Sequence, residues 1–487
     1  MTTTPSLRIF KTNTHSCNPN GKFVLYWMIA NRRLNWNFSL QHAIEEANRL
    51  NKPLLIFEPL RTQYRWASAR THRFIIEGMK DNQNQSILEG LSYFPYVESK
   101  PGDGQGLLET LAQQSALVVT DHFPCFFLPR MVRAAANKIN VRLEAVDSNG
   151  IYPLADATRD FTTAASFRRH LQKRLPSFLS DMPLSTPSNL LKTKDLIHLN
   201  SIHDKWPKAD LNSLLATEGL KHLPINHNIP PIHICGGSKT AEKTALSFFQ
   251  NQYLQYHTDR NQIMNSAASG LSAYLHFGHI STHQLVQSIF DSEAWNINHL
   301  AKKPNGSREG WWGMSPHAEA FLDQLITWRE LGYQFTHRNP DNYFKLSSLP
   351  QWALKSIEEH KNDPRPITYT YQELDQAQTH DVVWNAAQNQ LKREGIIHNY
   401  VRMLWAKKVY EWSDSAEIAL ERLIELNNTY AIDGRNPNSY SGIFWTFGRF
   451  DRAWGPVRSI FGKLRYMSSD STARKLKIKP YLERYSS

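Results

Sequence analysis

Apolar and polar positions divide the chain into two regimes. The runs "KFVLYWMI" (22–29), "KPLLIFEPL" (52–60), "ALVVTD" (116–121) and "VRLEAVD" (141–147) are short, apolar and rich in β-forming residues, and "SLQHAIEEANRL" (39–50) between them has helical spacing. Apolar strands alternating with helices predict a parallel sheet covered on both faces. A Rossmann-like α/β domain is therefore expected over residues 1–182. The motif G-x-G-x-x-G is absent, which argues against a conventional dinucleotide site.

Residues 183–235 ("MPLSTPSN", "LPINHNIPPIHICGG") are rich in Pro, Ser and Asn and predict an inter-domain linker. "GGSKTAEKTAL" then begins a helix, with Ser238 as the expected cap. Its G-S-K-T lacks the Gly five residues earlier that a P-loop requires. From 236 to 487 the periodicity is helical, as in "AFLDQLITWREL", "QWALKSIEEH" and "AEIALERLIELNN", and strand signals are nearly lacking. The expected architecture is an α/β domain, a linker and a large all-α domain.

Composition narrows the function. Hydrophobic residues make up 41% and charged residues 21%, which excludes a disordered chain. No run of 18 apolar residues occurs, so no membrane span is expected, and the N-terminus lacks the apolar core of a signal peptide. Three scattered cysteines suit a reducing compartment and cannot supply a four-cysteine metal or iron–sulfur site; no metal is expected. A net charge of +12 and a pI of about 9.4 favour an anionic partner, most often nucleic acid.

Three stretches carry candidate chemistry. In "HNYVRMLWAKKVYEW" (398–412), Trp405 and Trp412 are seven residues apart, which places them on one helix face about 10 Å apart along the axis. With Trp384 upstream they form either an aromatic core or a chain of oxidisable rings. "SGLSAYLHFGHIS" (269–281) offers small residues at a turn, a form suited to phosphate or to a plain turn. In "GRFDRAWGPVRSIFGKLRYM" (448–467), Arg449, Arg452, Arg458, Lys463 and Arg465 interleave with Phe450, Trp454 and Phe461. Cations alternating with aromatic platforms suit a phosphate backbone and an extruded base.

Together with "YWM" (26–28), "THDVVWNAAQNQLKREGIIHNYVRMLWAKK", "LNNTYAIDGRNPN" and "FGKLRYM", these stretches resemble the photolyase/cryptochrome family, and within it the class II cyclobutane pyrimidine dimer photolyases. The resemblance runs in order over most of the chain. It implies an enzyme, a carbon–carbon lyase, holding non-covalent FAD in the helical domain and driving electron transfer to a pyrimidine dimer under blue light. A second, antenna chromophore of deazaflavin or folate type could sit in the N-terminal domain. The implied partner is UV-damaged DNA, double- or single-stranded. A monomer is expected, in the cytoplasm at the nucleoid if bacterial or in the nucleus if eukaryotic.

By motif, the resemblance assigns Tyr256 and Arg260 to the start of the cofactor site and Ser269, Gly270, Leu271 and Ser272 to the FAD phosphates. Arg402 and Asp433 resemble the ion pair beside the isoalloxazine, and Asn427 the asparagine facing flavin N5, where a neutral amide can donate. Trp405 resembles the flavin-proximal member of the tryptophan chain, Trp384 the next and Trp412 its surface end. Lys407 and Lys408 are expected to face solvent. Trp328, Met403, Trp445 and Trp454 resemble lesion-pocket residues, and Arg452 and Arg465 the arginines that hold the opened duplex. Gln324 stands where the family usually carries a glutamate that hydrogen-bonds the lesion, and Asp323 beside it points away on an α-helix. That departure leaves a second reading, a cryptochrome-like photoreceptor with weak or no repair. The chain's end at Ser487, without a long tail, favours repair. A third, a flavin-storing or structural DNA-binding protein, is disfavoured by the tryptophans.

Overall fold

The protein is described by a computed structural model covering residues 3–264 and 266–486. Two compact units are present, and neither is one continuous stretch. The first comprises Met1–Ala157, Leu175–Leu246 and Leu271–Ala294; the second comprises Thr158–Arg174, Ser247–Gly270 and Trp295–Ser487. The single cuts expected at 182 and 235 are thus replaced by an interleaved division.

The first unit carries a six-stranded sheet, β1 (Ile9–Lys11), β2 (Phe23–Trp27), β3 (Leu54–Leu60), β4 (Ser92–Val97), β5 (Ser115–Asp121) and β6 (Leu143–Val146). Its order is β1-β6-β5-β2-β3-β4, with β1 antiparallel and every other pairing parallel. Every residue of β2 and β5 is buried, which is why both read as unbroken apolar runs. On one face Val24, Tyr26, Ile56 and Val119 pack against Leu40, Ala43 and Ile44 of the helix Phe38–Leu50. The strand order reverses between β2 and β5. There Asp121 accepts from the backbone N–H groups of Ile29, Ala30 and Asn31 (2.8, 2.8 and 3.0 Å) and from the Tyr26 hydroxyl at 2.8 Å.

The expected linker is not featureless. It contains short helices at Pro187–Leu190, Asn200–Lys205 and Leu211–Leu215, and Leu211, Leu214, Leu220 and Leu223 bury against Ile75, Ile76 and Met79. The following helix is Ser238–Asn251, but Ser238 does not cap it: its hydroxyl is buried without a hydrogen bond. Asp81 serves the helix start instead, accepting from the Lys239 N–H at 3.0 Å.

The second unit is helical, and no strand is assigned among its described residues. The helix expected across residues 320–331 is interrupted: Pro316–Leu322 and Arg329–Arg338 are α-helical, and Asp323–Trp328 between them is a π-helix. Three other helices hold most of the residues of interest, Val382–Glu394, Asn399–Glu411 and Ala416–Tyr430. Among the described residues no helix is long and apolar enough to cross a membrane.

Candidate active site

The motif T-H-D-x-x-W-N builds the start of the helix Val382–Glu394. Asp381 is its N-cap, its carboxylate accepting from the Val383 and Trp384 N–H groups at 3.0 and 3.1 Å. Thr379 and Asn385 clasp the same turn, the Thr379 hydroxyl donating to Asn385 Oδ1 at 2.7 Å and Asn385 Nδ2 to the Thr379 carbonyl at 2.7 Å. Trp384 is thereby fixed in the first helical turn and is fully buried.

Trp384 meets both tryptophans of the neighbouring segment. It stacks on Trp405 with centroids 6.3 Å apart and planes 6° from parallel, and meets Trp412 edge-on at 5.7 Å. Trp384 Nε1 donates to the Trp405 carbonyl and Trp405 Nε1 to Gln388 Oε1, each at 3.0 Å. The order of contact is therefore Trp405, Trp384, Trp412. Trp412 does not lie at the surface as expected; it is 3% exposed and covered by Tyr369 and His380, at 5.3 and 5.4 Å between centroids.

The two lysines of this segment are likewise buried. Lys407 is 0% exposed and Lys408 8%. Lys408 pairs with Glu411 at 2.8 Å. Lys407 Nζ donates to the Thr446 carbonyl at 2.6 Å and lies 5.2 Å from the Trp445 ring centroid. Burial pushes its ammonium down from 10.5 to about 7, with Asp451 opposing that shift and Arg465 adding to it.

The sequence "LNNTYAIDGRNPN" forms the turn that carries Asn427 and Asp433. Arg435 folds back on the end of the helix Ala416–Tyr430, donating to the carbonyls of Asn428, Ala431 and Ile432. Asn436 caps the next helix, Pro437–Thr446. Gly434 is required by close approach, since a Cβ there would lie 2.9 Å from the carbonyl oxygens of both Ala431 and Asn427. In this turn Asp433 pairs with Arg402 at 3.3 Å, and Arg402 also donates to Asn427 Oδ1. That bond fixes the Asn427 amide, whose nitrogen donates to Asn428 Oδ1 at 3.1 Å.

The remaining cofactor candidates are local to their own segments. Tyr256 is buried against Phe321 and Phe248, with the Arg260 guanidinium 5.5 Å from its ring centroid. The Arg260 carbonyl lies 3.2 Å from His398 Nε2. Ser269 and Gly270 are in irregular chain, Gly270 at φ +68, and Leu271 and Ser272 lead into the helix Ser272–Phe277.

Among the residues expected to contact nucleic acid, the Arg465 guanidinium lies 3.9 Å from the Trp454 ring centroid and 5.4 Å from that of Trp445. Arg465 is not a free cation: it forms a two-point ion pair with Asp451 at 2.7 and 3.1 Å. Arg452 is exposed and lies 4.5 Å from the Trp454 ring centroid. Arg449, counted with the basic stretch, is buried instead, paired with Asp160 and packed on Phe335 at 4.3 Å. Met403 is half-buried, one helical turn before Lys407. Gln324 and Trp328 are half-exposed while every other residue from 321 to 330 is buried. The Gln324 carbonyl accepts from the Arg329 N–H within the π turn, and its side-chain amide makes no hydrogen bond among the described residues. Asp323 is held by Arg168 at 2.7 Å and is not available to replace it.

Comparison with known proteins gives the arrangement its lineage. A deoxyribodipyrimidine photo-lyase of Methanothermobacter thermautotrophicus is 33% identical over 98% of this chain and 97% of its own length. The chain belongs to the deoxyribodipyrimidine photo-lyase family. Photo-lyases of Arabidopsis thaliana and Oryza sativa are 30% and 31% identical, each over 94% of this chain and 88% and 86% of their own. No family model matches the chain. A bacterial class III photolyase from Agrobacterium tumefaciens shares the fold, with a TM-score of 0.67 over 96% of this chain and 86% of that one, at 15% identity. The α/β unit with a helical unit is thus the photo-lyase architecture.

For a photo-lyase family member the group to test against these residues is FAD, and they fit it. Asn427 is 1% exposed, yet one of its two amide hydrogens has no acceptor among the described residues. His398 Nδ1, at the head of the Arg402 helix, is also buried without a partner. Buried donors and acceptors are nearly always matched, so these atoms suit a polar ring system. Sequence reasoning missed Gln388, Tyr369, His380 and Asp451. Of these, His380 and Gln388 lie inside "THDVVWNAAQ" and Asp451 inside "GRFDRAWG", and only Tyr369 lies outside every motif singled out in the sequence.

Proposed function

We propose that this protein is a light-driven lyase of the class II branch, splitting cyclobutane pyrimidine dimers in DNA. The observation that carries the reading is the unbroken contact series Trp405–Trp384–Trp412, which begins one helical turn from Arg402. FAD, when bound, supplies the photoexcited electron donor. Arg402 and Asp433 would hold its polar ring system, and the amide nitrogen of Asn427 would offer it a neutral donor. The three indoles in contact would carry an electron inward to a flavin held there, with Trp384 kept rigid by the hydrogen bonds on both its flanks.

Trp328, Met403, Trp445 and Trp454 receive the extruded dimer. Extrusion costs a few kcal/mol of stacking, least for a damaged pair, and this supports selectivity. Arg452 and the Arg465–Asp451 pair face the opened duplex. Gln324 offers its NH₂ to the dimer carbonyls as negative charge develops on them.

The test is anaerobic illumination of FAD-loaded protein with dimer-containing DNA, following dimer content and flavin absorbance together. Repair with photoreduction is expected, and Trp405→Phe should lose photoreduction while a chemically reduced sample still repairs. Normal photoreduction in Trp405→Phe would make the indoles core packing. Photoreduction without repair would favour the photoreceptor reading, to which Gln324 is the pointer.

A further inference from the structure

Burial of Trp412 leaves a gap between the last indole and solvent. Tyr369 and His380 fill it. The backbone N–H of Tyr369 donates to the Trp412 carbonyl at 3.3 Å, and the two rings meet edge-on at 5.3 Å between centroids. The Tyr369 hydroxyl lies 2.6 Å from His380 Nδ1, and the same oxygen accepts from the His380 backbone N–H at 2.9 Å. His380 is exposed and Tyr369 half-buried. The helix cap does not depend on this contact: Asp381 and the Thr379–Asn385 clasp secure the turn without either ring.

A phenol cannot lose an electron cheaply unless its proton leaves as well. A base in contact with the hydroxyl takes that proton, and a donor to the oxygen steadies the radical left behind. The His380 side chain is such a base and the His380 backbone N–H such a donor. We propose that Tyr369 and His380 form a proton-coupled terminal relay, through which an oxidised Trp412 is reduced from solvent. Resting on the tryptophan-chain reading above, it adds two residues and a proton.

The step balances. Trp412, having lost one electron to Trp384, takes one from Tyr369. The O–H bond of Tyr369 breaks, its proton forms an N–H bond at His380 Nδ1, and a neutral tyrosyl radical remains beside a protonated imidazole. A small thiolate in solution then gives one electron to the tyrosyl oxygen, His380 returns the proton, and the thiolate leaves as a thiyl radical. The imidazole must begin with its proton on Nε2, so that Nδ1 is the acceptor.

Transient absorption and electron paramagnetic resonance on the FAD-loaded protein test this. In wild type, a tryptophan radical should convert to a tyrosyl radical more slowly in D₂O than in H₂O. Tyr369→Phe should show the tryptophan radical at full initial yield, no tyrosyl signal, and faster loss by charge recombination. His380→Ala should slow tyrosyl formation by roughly a hundred-fold, the usual scale of a positioned base, and added imidazole should restore it. An unchanged tryptophan-radical decay in Tyr369→Phe would overturn the relay alone. Tyrosyl formation in His380→Ala at the wild-type rate would overturn the role of the base. Absence of any tryptophan radical in wild type would instead overturn the chain on which the relay rests.

Discussion

Lys407 offers a quantitative test of how the helical unit is built. Its ammonium is fully buried, has one oxygen partner, Thr446 O, and is pushed down to about 7. In the unfolded chain it titrates at 10.5. Between those values the unfolded state holds a proton that the folded state lacks, so stability rises with pH. Above 10.5 both states are neutral and no penalty exists; below about 7 both are charged and the full penalty is present. At about 1.4 kcal/mol per pH unit, the whole penalty is about 5 kcal/mol, and about 2 kcal/mol of it should be relieved between pH 7 and pH 9. Lys407→Met removes the titration at the cost of about 1–3 kcal/mol for the orphaned Thr446 carbonyl. Urea unfolding of both proteins at pH 6, 7, 8 and 9, at constant salt and FAD, isolates the difference. Wild type should gain on Lys407→Met by about 2 kcal/mol from pH 7 to 9 and by little from 6 to 7. Parallel stability profiles would refute the argument and mean that the amine reaches water.

Other outcomes can be checked together. His42 gives the opposite slope: burial alone would lower its pKa, but hydrogen bonds with Glu144 and Glu45 raise it to about 9, so its stabilisation is complete below 6.5 and is lost as pH rises through 9. His42→Gln should remove about 3 kcal/mol of that fall in a melting series. Gln324→Glu should raise dimer splitting per absorbed photon with little change in DNA affinity, because a protonated carboxyl can supply a proton and an amide cannot; an unchanged or lower yield would count against the site. Arg465→Ala should weaken binding to damaged duplex more than to a short single-stranded dimer, read by titration at two salt concentrations. Adding Asp451→Asn should recover stability but not affinity, since it relieves the carboxylate left unpaired.

Much of this was legible in the sequence, for physical reasons that differ by element. β2, β3, β5 and β6 announced themselves because both their faces are covered. β1 was missed at three residues, and β4, "SYFPYV", because its internal proline argues against a strand. The pair Trp405–Trp412 followed from spacing on one helix, whereas the place of Trp384 between them came only from resemblance. Burial of Lys407 was hidden because a lysine on an otherwise apolar turn reads as a solvent-facing edge; the helix Asn399–Glu411 is buried on every side from Leu404 to Tyr410. Tyr369 is invisible in principle, since nothing in an isolated tyrosine indicates which histidine its hydroxyl will meet.

The π segment Asp323–Trp328 is in effect one extra residue carried inside an unbroken helix, because a π turn is one residue longer than the α turn it replaces. The flanking helices are anchored independently, Phe321 against Tyr256 and Phe335 against Phe444. Loss of one residue here would let α geometry resume between fixed ends. The shortened turn would have one position fewer to share between the partner of Arg168 and the half-exposed amide of Gln324. Length at this point is therefore constrained less by the run of the helix than by the buried Arg168–Asp323 pair and the position of Gln324. A shortened chain should fold, and one of those two roles, the buried carboxylate or the exposed amide, should go unfilled.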